Sequence, residues 1–443
     1  MSFNPFIEEG IKPCETFRNW EDMSPMSYDK VTTDPYTKTR IILTNGTEFE
    51  GAWFKHQLLR QCNNEEIRRE ISLTRRLEQE QQKELAVLKP TNESMFEHAI
   101  EYEQLAIDLT AMLAKREKDV NVKKALDFAL LEDFDHLYRF ANLLAMENGE
   151  KAEELVRRFT EIMPGRPTIS EHRFPYDDVK EFTDFKCADI LTKLQTMIIT
   201  AAEQQTMNFY MNAATLYDGE MGRKLFQEIG LIEEQHVTQY GSLLDPNCTW
   251  LEEALMHEYV ECYLYYSFTL EETDERIKKI WERNLKEEIG HLHAVAKLLE
   301  KYENRTWKDV LKTDGTFPEP LCLGSNKEYI RRVLVETVEN TSCLYDYIEA
   351  EKLSKNHRFF FLQKKRNGNL ETVPTHMVIR DYIDRNGTDY RYEDAPHPVE
   401  ELRDRTCDNV ILGRDPGFDS REEGIEFFTK DDVPASCACA KDE

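Results

Sequence analysis

The spacing of apolar and polar residues over the middle of the chain predicts three consecutive helical hairpins. They cover about residues 94–149, 188–245 and 249–302. Ser94 and Thr249 are of the type that caps a helix N-terminus, and Gly149 is of the type that ends one. The pattern therefore predicts an all-α core over about residues 91–305.

The regions on either side of this core have weaker patterns. In the N-terminal region, we predict an extended arm, a small β-hairpin turning at Asn45–Gly46, and a helix from Asn64 to Leu88. In the C-terminal region, only one further helix is indicated, over about residues 327–352. The expected parts are an N-terminal region 1–90, a helical core 91–305 and a partly irregular C-terminal extension 306–443.

Each predicted hairpin has an acidic residue followed three positions later by histidine. The pairs are Asp133/His136, Glu233/His236 and Glu288/His291. With 85 acidic residues and 11 histidines in the chain, about two such pairs arise by chance, so a pair alone is weak evidence. However, a glutamate stands thirty residues before each acid: Glu103, Glu203 and Glu258. The constant spacing indicates a repeated helical hairpin.

The thirty-residue interval has a geometric consequence. The hairpin turn lies near its middle, and both helices rise by about 1.5 Å per residue, so the chain returns to the same height. The glutamate of the first helix then lies opposite the acid and the histidine of the second, which share one helix face. Two such hairpins supply four carboxylates and two imidazoles, a donor set for two iron or manganese ions.

This arrangement resembles the ferritin-like superfamily of di-metal carboxylate proteins, which includes rubrerythrins and manganese catalases. The resemblance covers about residues 91–305 and implies a four-helix bundle, here extended by a third hairpin, around two iron ions, an iron–manganese pair or two manganese ions. The implied metal ligands are Glu103, Asp133, His136, Glu203, Glu233 and His236. Asp133 departs from the glutamate that is usual in the family.

Three hairpins compete for a site that needs two. In the family, the two Glu-x-x-His helices run antiparallel, which requires a long crossover, and residues 150–187 with a short helix at about 150–162 can provide it. The short link at 245–249 cannot, so we expect the first two hairpins to build the site. The third hairpin either contributes Glu258 or Glu261, or forms a separate site across a homodimer. Its candidate ligands are Glu258, Glu261, Glu288 and His291.

Composition limits the cellular context and the partners. A net charge of −28 disfavours nucleic acid and anionic membranes as partners, and no apolar run has the length of a membrane span. The N-terminus has no signal-peptide pattern, and the ten cysteines form no Cys-x-x-Cys motif. These features predict a cytoplasmic protein with reduced thiols and without the rubredoxin-like domain of rubrerythrins. An external electron donor is then expected.

The function expected from these residues is that of an oxidoreductase whose dinuclear centre activates O2 or reduces a peroxide. One alternative is a ferroxidase or iron-handling protein, which would be limited by Fe(II) supply. Another alternative is a metal-free helical scaffold or interaction protein. That alternative predicts a melting temperature indifferent to metal.

Overall fold

The computed structural model describes residues 3–162, 172–387 and 397–403. Most of these residues are helical, and a two-stranded hairpin is the only sheet among them, so the all-α prediction is confirmed. The helices are α1 (Pro35–Gln61), α2 (Glu65–Val87), α3 (Met95–Arg116), α4 (Val120–Asn148), α5 (Ala152–Val156), α6 (Ile190–Leu216), α7 (Glu220–Gly241), α8 (Trp250–Glu271), α9 (Glu275–Glu303), α10 (Trp307–Leu311), α11 (Lys327–Thr337), α12 (Arg358–Asn367) and α13 (Pro374–Asn386). The strands are β1 (Asn340–Cys343) and β2 (Asp346–Glu349).

Local signals set the helix ends that the sequence predicts. Ser94 and Thr249 each form a capping box, which satisfies free backbone N–H groups at the starts of α3 and α8. Gly149 ends α4 with φ of 72°, a conformation that glycine adopts without strain. Among the helices of the described residues, none is both long and apolar enough to cross a membrane.

The long helices form four hairpins, one more than predicted: α1–α2, α3–α4, α6–α7 and α8–α9. Packing assembles these hairpins into two groups of four helices. The first group contains α3, α4, α6 and α7, and the second contains α1, α2, α8 and α9. Helix α1 also packs on α3 and α6 and so joins the two groups.

Within each group the two hairpins run antiparallel. In the first group, His136 lies 2.8 Å from Glu233 and Asp133 lies 3.5 Å from His236, so the α4 and α7 sequences pair in opposite directions. In the second group, Gln81 bonds Glu288 on α9, whereas Glu66, earlier on α2, bonds Tyr302, later on α9. The α6–α7 and α8–α9 hairpins therefore occupy corresponding positions.

The predicted β-hairpin around Asn45–Gly46 was wrong, because these residues lie inside α1. A Cβ on Gly46 would lie 2.8 Å from Gln205 Cβ and 3.0 Å from the Ala201 carbonyl oxygen on α6. The glycine thus permits close approach of two helices and does not form a turn. The Asn45 side chain donates to the Gln82 carbonyl at 3.2 Å, which ties α1 to α2.

Of three further predicted helices, one has the predicted bounds and two are shorter than predicted. The helix predicted at Asn64–Leu88 is α2, with the Asn64 side chain as its cap. The helix predicted at about 327–352 ends at Thr337, and the chain then forms β1 and β2. The crossover helix is only one turn long, Ala152–Val156. The C-terminal helices α11 and α13 pack on α4, and α13 also packs on α7.

Candidate metal centre

The six side chains predicted from the first two hairpins lie together at the centre of the first helix group. Two sets of three have ligand atoms within 4.8 Å of one another. One set is Glu103, His136 and Glu233, and the other is Asp133, Glu203 and His236. We call these six residues the first cluster. All six are at most 1% exposed, so water does not reach them in this conformation.

Each set combines one imidazole with carboxylates from both hairpins. His136 Nδ1 lies 2.8 Å from Glu233 Oε1. His236 Nδ1 lies 3.5 Å from Asp133 Oδ1, 3.6 Å from Glu203 Oε2 and 3.4 Å from Glu233 Oε2. The two imidazole rings have centroids 6.0 Å apart. Glu233 faces both histidines, so it lies between the two sets.

Several buried polar atoms of the first cluster have no hydrogen-bond partner among the residues that the structure describes. Neither carboxylate oxygen of Asp133 or Glu203 accepts a hydrogen bond, and Glu103 Oε2 and His136 Nε2 also lack one. Burying an ionised carboxylate without a partner costs on the order of several kcal/mol of folding free energy. The cluster therefore needs cations, either protons or metal ions.

The carboxyl pKa values report the same shortage of positive charge. Burial and the charges of Glu233 and other carboxylates raise the pKa of Glu103 well above its usual value. Burial and Glu203 do the same for the pKa of Asp133. The pKa of Glu203 rises to about 8 through burial and the charge of Glu233. Burial also acts against ionisation of Glu233, but His136 and His236 lower its pKa overall.

An ion-pair network outside the cluster fixes the orientation of His236. Its Nε2 atom lies 2.9 Å from Glu132 Oε2, and Glu132 also pairs with the buried Arg173, which bonds Asp178 at 2.7 Å. Burial opposes ionisation of Glu132, but Arg173 and His236 hold its pKa at about 2. Because Glu132 binds Nε2, the Nδ1 atom faces the carboxylates, as for a histidine prepared for a metal.

A buried tyrosine contacts the other side of the cluster. The Tyr210 hydroxyl donates to Glu103 Oε1 and leaves Glu103 Oε2 without a partner. Its ring lies 5.0 Å from that of Phe140 and 5.8 Å from that of Phe226. Tyr210 therefore packs in the core and also contacts a candidate ligand directly.

A second cluster lies at the same level of the second helix group. Its members are Glu48, Lys55, Glu78, Gln81, Glu258, Glu261, Glu288 and His291, all buried. Glu78, Glu258, Glu288 and His291 have ligand atoms within 4.8 Å of one another. The third hairpin therefore meets α1 and α2 of its own chain, and its residues do not join the first cluster.

The two clusters correspond position by position. Glu48 precedes Glu78 by thirty residues, and Gln81 stands where the repeat has histidine. Gln81 donates to Glu288 Oε1 at 2.6 Å, as His136 faces Glu233 in the first cluster. Tyr265 donates to Glu48, just as Tyr210 donates to Glu103. These parallels identify α1–α2 as a fourth copy of the repeat.

This copy has no acid–histidine pair, because Gln81 replaces the histidine three residues after Glu78. The thirty-residue spacing from Glu48 to Glu78 was a usable signal. By contrast, nothing in the sequence marked Glu132 or Arg173, since their role depends on contacts between distant segments. In the crossover, His172 lies 3.8 Å from Glu228, away from the first cluster. His257 stacks on Phe54 with ring centroids 4.6 Å apart.

Compared with family models, curated proteins and solved structures, the chain gives no match.

Proposed function

We propose that the first cluster binds two iron or manganese ions and that the protein is an oxidoreductase acting on O2 or a peroxide. The observation that carries the proposal is the pair of buried sets, each with one imidazole and carboxylates from two hairpins, whose ligand atoms lie within 4.8 Å. The proposal includes a ferritin-like arrangement of α3, α4, α6 and α7.

The residues fit two divalent ions in charge and in chemistry. Four carboxylates and two neutral imidazoles have a formal charge of about −4, which two divalent cations balance. No described residue donates a hydrogen bond to the carboxylate oxygens of Asp133 or Glu203, so these oxygens can bind cations. Mixed carboxylate and imidazole ligands suit iron and manganese.

Glu103, His136 and Glu233 would hold one ion, and Asp133, Glu203 and His236 would hold the other. Glu233 is suited to bridge, because its two oxygens face different histidines. Bound iron or manganese supplies Lewis acidity and one-electron redox chemistry toward O2 or peroxide.

The surrounding residues position these ligands and control protons. Glu132 accepts a hydrogen bond from the Nε2–H group of His236, and Arg173 keeps Glu132 ionised, so the His236 tautomer with a free Nδ1 is favoured. Tyr210 holds Glu103 by one oxygen and carries a proton at its hydroxyl, next to the cluster. The full burial of these groups excludes bulk water from the site.

The decisive experiment measures metal content and activity together. The full-length protein is loaded with Fe(II) or Mn(II) without oxygen, freed of excess metal and analysed by mass spectrometry. A Glu233→Gln/His236→Gln variant should lose two ions per chain, and peroxide or oxygen consumption should fall with them. Glu234→Gln, an exposed neighbour on α7, is the matched control and should lose neither.

The outcomes separate the alternatives. Metal binding that is unaffected by Glu233→Gln/His236→Gln would refute the proposal, and a melting temperature indifferent to metal would favour a helical scaffold. Loss of two ions with turnover only of Fe(II), and none of peroxide, would refute the oxidoreductase part and support iron handling.

A further inference from the structure

The second cluster differs from the first in its positive charge. Lys55 is fully buried, and its ammonium group lies 2.7 Å from Glu258 Oε1 and in contact with Glu78. Lys55 stands seven residues after Glu48, where Thr110 stands after Glu103 in the first cluster. The ammonium therefore lies against the set equivalent to Asp133, Glu203 and His236.

Glu258 divides its two oxygens between different partners. Oε1 contacts the Lys55 ammonium, whereas Oε2 lies 3.8 Å from His291 Nδ1. Glu288 Oε2 also lies near that nitrogen, at 3.0 Å. Two carboxylate oxygens and one imidazole nitrogen thus converge beside the ammonium. A carboxylate that bridges two metal ions divides its oxygens in the same way.

One ammonium does not balance the second cluster. Five carboxylates, from Glu48, Glu78, Glu258, Glu261 and Glu288, surround the single lysine. Glu261 is 1% exposed, and neither of its oxygens accepts a hydrogen bond. A Cβ built on Gly51 would lie 2.8 Å from Glu261 Oε1 and 3.6 Å from Glu78 Oε2, so these two carboxylates are close to each other. His291 Nε2 also has no partner within the described part of the chain, and Leu77 stands where the first cluster has Glu132.

We infer that the second cluster is a mixed cation centre, which binds one divalent metal ion through Glu258, Glu288 and His291 beside the Lys55 ammonium. Lys55 takes the place of a second metal ion, with Glu258 bridging the ammonium and the metal. Gln81 fixes Glu288 through its other oxygen. Two carboxylates and one imidazole suit Mn(II), Fe(II) or Zn(II). This centre is independent of the function proposed for the first cluster.

The test counts Mn(II) in the full-length protein. Wild type should bind three ions per chain, the Glu233→Gln/His236→Gln variant one, and the His291→Gln variant two. His257→Gln changes a buried histidine one turn from Glu261 on the same helix and should still bind three. Circular dichroism checks that each variant keeps its helical content.

A second variant tests the role of the ammonium. Lys55→Thr introduces the residue found at the equivalent position of the first cluster and removes a positive charge next to the metal. In the Glu233→Gln/His236→Gln background it should tighten Mn(II) binding at least tenfold, because like charges a few ångströms apart repel strongly. Unchanged affinity would overturn the assignment of Lys55 as a replacement cation.

The ion counts separate this inference from the proposed function. Two ions in wild type and none in Glu233→Gln/His236→Gln would overturn the second centre and leave the first intact. A single ion that is lost only in His291→Gln would support the second centre and refute the first.

Discussion

The two helix groups have the same plan but different central cations. In both, an antiparallel pair of hairpins brings four acids at repeat positions to one level, and a tyrosine bonds the first glutamate. The first cluster has two histidines and no buried ammonium contact, whereas the second has one histidine, Gln81 and Lys55. Two of the differences between the groups, Gln81 in place of His136 and Lys55 in place of Thr110, thus separate a candidate two-metal site from the mixed one that we propose.

If both proposals hold, the same framework accommodates either of two ways to balance a buried excess of carboxylates. A lysine satisfies carboxylates by direct ion pairing, but its stem occupies space and its charge is fixed at one. Metal ions supply two charges each and accept several ligands. The residue seven positions after the first glutamate of the hairpin is Lys55 in one group and Thr110 in the other, and we propose that this difference decides between the two.

Introducing a lysine at position 110, the equivalent of Lys55, should give the largest effect. Thr110→Lys would place an ammonium group beside Asp133, Glu203 and His236 and so remove one of the two ions proposed there. We expect total Mn(II) to fall by one ion per chain, with loss of peroxide or oxygen turnover. Thr110→Val is the control, since the Thr110 hydroxyl has no hydrogen-bond partner and its loss should be tolerated. Retention of both ions in a folded Thr110→Lys protein would contradict the correspondence.

Metal removal should give the second-largest effect, a decrease in the thermal stability of the protein. A ligand present at a thousand times its Kd stabilises the folded state by about 4 kcal/mol. Chelation should therefore lower the melting temperature of wild type by several degrees. The shift should be smaller in Glu233→Gln/His236→Gln, where only the second cluster binds metal. Equal shifts in both proteins, measured by calorimetry, would show that the first cluster does not bind the metal.

Giving His236 the same surroundings as His291 should weaken metal binding by the first cluster. Glu132→Leu introduces the residue that stands at the equivalent position 77 and removes the acceptor of His236 Nε2. We expect about 10- to 100-fold weaker Mn(II) binding, the usual cost of losing a group that orients a ligand. Affinity can be measured by chelator competition. Because the change also leaves Arg173 with one fewer partner, Glu132→Gln serves as the milder variant, and an unchanged affinity in both would refute this role.

A change at the contact between α1 and α6, which joins the two groups, should give the smallest effect. Gly46→Ala brings a Cβ within 2.8 Å of Gln205 Cβ, and the overpacking should outweigh the roughly 1 kcal/mol gained in helix propensity. We expect a net loss of about 1 kcal/mol in the free energy of unfolding, measured by denaturant titration. Gly241→Ala is the control, because a Cβ there meets nothing within 4 Å. Stabilisation by both changes would show that α1 and α6 separate readily.

Much of the fold followed from local sequence signals. The boundaries of α2, α3, α4, α8 and α9 were predicted to within a few residues, because caps such as Ser94 and Asn64 act on their own helix. Helix α1 was missed because Asn45–Gly46 resembles a turn, and only the close approach of α6 explains the glycine. The strands β1 and β2 were missed because a short amphipathic stretch fits either helix or strand.

The sequence by itself determined which side chains each hairpin offers at one level, since the thirty-residue spacing and the constant helical rise are properties of one segment. The role of those side chains as metal ligands stays a prediction. Only the tertiary structure decided which hairpins pair, that α1–α2 completes a second group, and that Lys55 lies between Glu78 and Glu258. These features depend on packing between segments more than two hundred residues apart, and no local pattern encodes which of several similar amphipathic faces will meet.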